Sequence, residues 1–141
     1  MNQITHDVKK MFASRPDGIQ RIYIMSKDGR VLVEYGIDDC KVDSLLVAGF
    51  LSAVHSISSQ LDDGGLKCMA FGDMKLTMME APARVLVVAL HGNKIKQKHI
   101  ERTLSTLMGE FFTRYPAEIV SCWTGNARMF CEFTETIKQC A

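Results

Sequence analysis

Apolar and polar positions along this chain predict a sheet covered by helices. The pattern centres on Ala83 to Leu90, read Ala-Arg-Val-Leu-Val-Val-Ala-Leu, in which every position from Val85 is apolar. A strand with one wet face alternates, so an unbroken apolar strand calls for cover on both faces. The run is short, valine-rich and bracketed by Pro82 and Gly92, which favours a strand over a buried helical turn. Upstream, residues 3–14 place Ile4, Val8, Met11 and Phe12 on one stripe of a short amphipathic helix that Pro16-Asp17-Gly18 breaks. Ile19 to Met25 and Arg30 to Tyr35 alternate as two strands around a Ser26-Lys27-Asp28-Gly29 turn. The longest helix is expected over Lys41 to Leu61, with Asp38 or Asp39 as its N-cap. Leu66 to Phe71 and Met74 to Glu80 form a hairpin about Gly72-Asp73 and lead into the central strand. A last long helix spans Lys94 to Arg114, with Ile100, Leu104, Leu107, Met108, Phe111 and Phe112 inward, and Tyr115-Pro116 stops it. In the tail, Ile119, Val120 and Trp123 are expected on the body, and Met129, Phe130, Phe133 and Ile137 predict a terminal amphipathic helix.

This order predicts an α+β fold: a five-stranded antiparallel sheet with one helix on one face and the N- and C-terminal helices on the other. No repeat or linker divides the chain, so residues 1–141 are expected to form a single domain, with a core of about 3–115 and a helical C-terminal extension over 116–141. Within the long helix, Val42, Leu45, Leu46, Gly49, Phe50, Ala53, Ile57 and Leu61 make the apolar stripe, the side a half-buried helix turns to its core. The neighbouring face carries Ala48, Ser52, His55, Ser56 and Ser59. Small residues admit a second backbone, so this face either receives another helix or is a solvated polar face.

Composition narrows the function classes. Apolar residues at 47% and charged residues at 23% describe an ordinary globular protein, and a net charge of +1 supplies no global field for nucleic acid or membrane. Five scattered cysteines without a CxxC pair fit a reducing compartment, where thiols act as small hydrophobes. The N-terminus lacks a signal-peptide pattern and no apolar run reaches membrane-spanning length, so a cytoplasmic location is expected. His6, His55, His91 and His99 have no metal-ligand spacing, and His55 and His91 read as surface or interface residues. No nucleophile elbow, Walker loop or dinucleotide fingerprint is present. Asp38-Asp39 and Asp62-Asp63 flank the long helix, where capping accounts for them. An enzyme is therefore the least expected class, and no cofactor or metal is called for. Lys94, Lys96, Lys98, His99 and Arg102 gather at the start of the last long helix, where the helix dipole disfavours cations. They form either a solvated face or a patch for an acidic partner or anionic lipid head groups.

The Ile22-Tyr23-Ile24-Met25-Ser26-Lys27-Asp28-Gly29-Arg30 hairpin, the segment Asp43 to Phe50, and Phe71-Gly72-Asp73-Met74-Lys75-Leu76 together resemble the roadblock/dynein light chain and longin superfamily, profilin-like α-β-α domains. The likeness runs in element order over about residues 3–115. It implies a non-catalytic module that pairs as a homodimer or heterodimer through its central helix and the edge strand that follows. Such modules regulate or scaffold small Ras-like GTPases, or serve in vesicle-traffic and motor complexes. On this chain the implied edge is Leu66, Lys67, Cys68, Met69 and Ala70, and the implied helix contact is Ala48, Ser52, His55, Ser56 and Ser59. An open edge blunted only by Lys67 argues for pairing on physical grounds as well. The leading expectation is a dimeric adaptor for a small GTPase, with no nucleic-acid partner. Two further readings are a longin-type trafficking or tethering subunit that meets membrane through the basic cluster, and a small-molecule sensor whose nine methionines line an adaptable cavity.

Overall fold

A computed structural model describes residues 18–36, 44–62, 67–123, 125 and 127–140. Its strands are β1 (Ile19–Ser26), β2 (Val31–Gly36), β3 (Cys68–Phe71), β4 (Met74–Ala81) and β5 (Val85–Gly92). They form one antiparallel sheet in the order β2-β1-β5-β4-β3. The helices are α1 (Ser44–Leu61), α2 (Gln97–Arg114), α3 (Ala117–Ser121) and α4 (Cys131–Cys140), with a 3-10 turn over Ala127–Phe130.

The valine-rich strand is the middle of the sheet, and Val85 through Ala89 are each at most 1% exposed. Alternation within it divides the core in two. Val85, Val87 and Ala89 join Ile22 and Ile24 of β1 and Val33 of β2 beneath Ile100, Leu104, Leu107 and Phe111 of α2. On the opposite face Leu86 and Val88 join Tyr23, Met25, Leu76 and Met78 beneath Ala48 and Leu51 of α1. The expected α+β architecture, one crossover helix against helices on the far face, is what the chain adopts. The helix expected over residues 3–14 and the caps Asp38 and Asp39 lie outside the described residues.

The C-terminal segment is built into the first core. Phe130 and Phe133 are fully buried, and the 3-10 turn and α4 pack along β2. Phe111 is the hub of an aromatic cluster, with Phe112, Tyr115, Phe130 and Phe133 at centroid separations of 5.1–5.4 Å, two of them edge-on. Within α3, Val120 is buried whereas Ile119, expected on the body, is 46% exposed. Successive helical positions diverge by about 100°, so a helix lying on a surface buries one of the two.

Both ends of the central strand differ from the expected ones. Ala83 and Arg84 are not strand; both are left-handed, with φ of 62° and 57°, in the turn between β4 and β5. This conformation costs an L-residue roughly 1–2 kcal/mol. The Lys27 N–H, which donates to the Arg84 carbonyl at 2.9 Å, ties the turn to the end of β1. At its other end β5 continues through His91 and Gly92. The cysteines differ from expectation too: Cys68, Cys122 and Cys131 are exposed thiols rather than buried hydrophobes.

His91, expected at the surface or an interface, is fully buried. A directed chain of bonds satisfies it. Gln97 Nε2 donates to Thr77 Oγ1 at 3.2 Å, the Thr77 hydroxyl donates to His91 Nε2 at 2.7 Å, and His91 Nδ1 donates to the Gly92 carbonyl at 2.9 Å. The chain stitches β4, β5 and the start of α2, and its bonds run in this direction for the neutral imidazole that burial favours, with Nε2 accepting. Desolvation by burial lowers the His91 pKa below its ordinary value, and the nearby Lys75 charge adds to the effect.

Two outcomes follow from this packing. Phe133→Ala is expected to destabilise the fold by about 3–5 kcal/mol, read as a lower urea midpoint by circular dichroism. A loss within about 0.5 kcal/mol, as at surface sites, would show that α4 is not part of the core. Below the unfolded imidazole pKa of about 6.5 the unfolded chain takes up a proton that folded His91 resists. Stability is therefore expected to be level above that pH and to fall as pH drops through it. His91→Gln should flatten this limb of the pH profile, and an unchanged limb would remove His91 as its source.

Candidate functional site

Eighteen residues of α1 carry more apolar side chains than one sheet face can cover. The face that docks on the sheet is the small one. Ala48 and Leu51 are each 1% exposed and His55 is 7% exposed. The Ser52 hydroxyl donates to the carbonyl of Lys27 in the β1–β2 turn. That turn comes very close: a Cβ on Gly29 would lie 3.6 Å from Gly49 Cα and 3.7 Å from Ser52 Cβ. Gly29 also has φ of +97°, a conformation that favours glycine. The small residues do admit a second backbone, but it is the chain's own hairpin.

This corrects the expected arrangement of the helix. Ala48 and His55 are buried against the sheet, and the half-buried Ser52 is bonded to its turn. Ser56 is exposed and Ser59 half-buried at the margin. Beneath the helix, Lys27 Nζ pairs with Glu80 Oε1 at 2.5 Å, and Glu80 Oε2 lies 3.7 Å from His55 Nε2. The Lys27 hydrogen bond chiefly holds the Glu80 carboxyl below the usual carboxylate range, and the Lys27 and His55 charges act the same way.

The face expected to be inward points out. Leu46, Phe50, Ile57 and Leu61 are 70, 57, 62 and 84% exposed, and Ala53 between them is exposed as well. Spacings of four, three, four and four residues put these five on one stripe running the length of α1. Scattered exposed apolar residues are ordinary on a protein surface, but a contiguous row marks a contact site. Val42 and the side chain of Leu45 lie outside the described residues.

At the sheet margin, β3 hydrogen-bonds to β4 on one side, and among the described residues nothing pairs with its other side. Lys67, Cys68 and Ala70 are exposed and Met69 is half-buried against the α1 core. Lys67 precedes the strand, its carbonyl accepting from the Met78 N–H at 2.9 Å, and Leu66 lies outside the described residues. The opposite margin, β2, is flanked by α4 and the 3-10 turn. The structure thus presents an apolar helix row and a bare strand edge.

Lys94, Lys96, Lys98, His99 and Arg102 are all exposed around the start of α2, and none makes an ion pair among the described residues. Lys96 sits at the N-cap without a side-chain cap bond. Among the described residues, no group of three or more His, Cys, Asp or Glu side chains could hold a metal ion. No described helix is long and apolar enough to cross a membrane.

No protein-family model matches the sequence, and no curated protein matches it. Solved structures match in fold. A roadblock/LC7 domain from Streptomyces avermitilis superimposes with a TM-score of 0.60 at 16% identity, over 82% of this chain and 96% of that one. MglB of Myxococcus xanthus gives 0.59 at 14% identity over 80% and 98% of the two chains, and the gliding protein MglB of Thermus thermophilus gives 0.56 at 15% over 77% and 90%. The chain therefore has a roadblock/longin-type fold.

A pair of substitutions tests which side of α1 is buried. Glutamate is a good helix former, so its effect reports surroundings rather than propensity. Phe50→Glu is expected to leave the unfolding free energy within about 1 kcal/mol, whereas Ala48→Glu should cost roughly 3 kcal/mol or more by burying a carboxylate against the turn. The reverse order, by thermal or urea unfolding of the two variants under dissociating dilution, would invert the helix.

Proposed function

We propose that this roadblock-type domain is a non-catalytic adaptor that dimerises and binds or regulates a small Ras-like GTPase. The observation that carries the dimer is the exposed Leu46, Phe50, Ile57 and Leu61 row beside the unpaired edge of β3. A two-fold axis between two copies of that surface lays helix row on helix row and strand on antiparallel strand. Both the apolar area and the unpaired edge groups are then satisfied at once. A solved MglB structure of this fold, at 11% identity and a TM-score of 0.52, is described as having a tetrameric arrangement, which supports self-association in proteins built this way. The GTPase rests on the superfamily resemblance, and the absence of any nominated nucleophile–base pair among the sequence motifs fits a binding role rather than a catalytic one.

Light scattering on the intact chain is expected to return twice the 15.8 kDa chain mass, and Phe50→Glu to return the single mass without loss of helix signal. A single mass for the unaltered chain at all concentrations would remove the dimer. For the partner, purified Ras-like GTPases from the same source are mixed with the protein after loading with GDP or a non-hydrolysable GTP analogue. The reading predicts a complex whose yield depends on the nucleotide, and no complex with any of them would contradict it.

A further inference from the structure

The β1–β2 turn, the β4–β5 turn and α3 converge around a cleft of about 150 Å³. Its interior is apolar, lined by Leu32, Val85 and Val120, which are 4, 1 and 6% exposed. Trp123 contributes an aromatic surface, and the exposed Arg30 and Arg84 stand at the mouth. None of the nine methionines is part of the lining, so this is not the methionine cavity a sensor reading expected.

The charges around the mouth do not cancel. Three cations line it, Lys27, Arg30 and Arg84, against one carboxylate, Asp28. Lys27 is committed to Glu80 outside the lining. Arg30 Nε pairs with Asp28 Oδ1 at 3.3 Å while its guanidinium lies over the Trp123 ring at 4.9 Å. The Ser26 hydroxyl, foremost, and the Arg30 contacts hold the Asp28 carboxyl below its ordinary pKa, so it stays ionised against Arg30. Arg84 is the cation left over, with no side-chain hydrogen bond or ion pair among the described residues. It is also one of two non-glycine residues among the described ones whose backbone is left-handed, and local strain of this kind gathers at ligand clamps.

We infer that this cleft binds a small organic anion, a single carboxylate or phosphate on a benzene-sized apolar body, with the body against Trp123 and the charge on Arg84. The size fits, since a cavity of about 150 Å³ lined by apolar side chains accepts benzene. The one uncommitted guanidinium fits one anionic group, which it can hold through two N–H donors. No residue of α1 lines the cleft, and the assignment does not depend on the dimer or on the GTPase.

Trp123 is the only tryptophan in the sequence, so intrinsic fluorescence of the intact protein reports this cleft directly. Titrations with benzoate and phenyl phosphate separate the two head groups; benzyl alcohol supplies the body without the charge, and inorganic phosphate the charge without the body. At least one of the two organic anions is expected to change the emission saturably with Kd at or below about 1 mM. The alcohol and inorganic phosphate should bind at least about tenfold more weakly, a difference of about 1.4 kcal/mol. Arg84→Gly removes the side chain at a position whose φ suits glycine, so the variant should keep or raise its thermal midpoint while losing about tenfold or more in affinity. Saturable binding by neither organic anion would overturn the assignment. So would equal binding by the alcohol or by inorganic phosphate, or undiminished binding by a folded Arg84→Gly protein.

Discussion

One strand buried on both sides organises this molecule. Because Val85 through Ala89 exclude water above and below, each face of the sheet must carry a helical layer, and the chain supplies these layers from segments far apart in sequence. Antiparallel neighbours on either side, β1 and β4, complete the backbone bonding that such a strand cannot obtain from water. Each of the remaining elements then acts as a lid, a margin or a connection. The crossover helix α1 is the lid on one side, and α2 with the terminal helices is the lid on the other.

The two lids are not equivalent. On the α2 side the aromatic cluster around Phe111 and the polar chain Gln97–Thr77–His91 fill the layer and fix its register. On the α1 side a single helix sits close to the sheet through small residues, with the Lys27–Glu80 pair beneath it. A close approach by small side chains leaves the large ones on the opposite face. The same packing that seats α1 therefore creates its exposed apolar row, and among the described residues the short β3 next to it has an unpaired edge. An exposed apolar surface is a consequence of how the core closes.

Much of this was legible in the residues. The central strand, its two-faced burial, both hairpins and the crossover helix follow from periodicity and turn chemistry, and the fold class follows from their order. What was not legible was which way α1 faces. Phe50 and Leu46 are large and Ala48 and Ser52 small, and size alone assigns the large pair to the core. The deciding fact, the approach of the Gly29 turn to within contact of Gly49 and Ser52, is a tertiary distance with no local signature. Arg84 departs from the strand expectation for a related reason: it begins an apolar run, yet in the turn that joins β4 to β5 its backbone is left-handed. His91 looked like a polar strand end because its partners, Thr77 and Gln97, come from other elements.

A doubly covered middle strand turns one margin and one helix face outward, and in the proposed dimer a second copy covers them. Amide hydrogen exchange, followed at high and at dilute protein concentration, tests it most directly. The β5 amides should be the slowest at both concentrations, while those of β3 and α1 slow markedly as concentration rises. Fast exchange in β5, or exchange in β3 and α1 that does not respond to concentration, would contradict it.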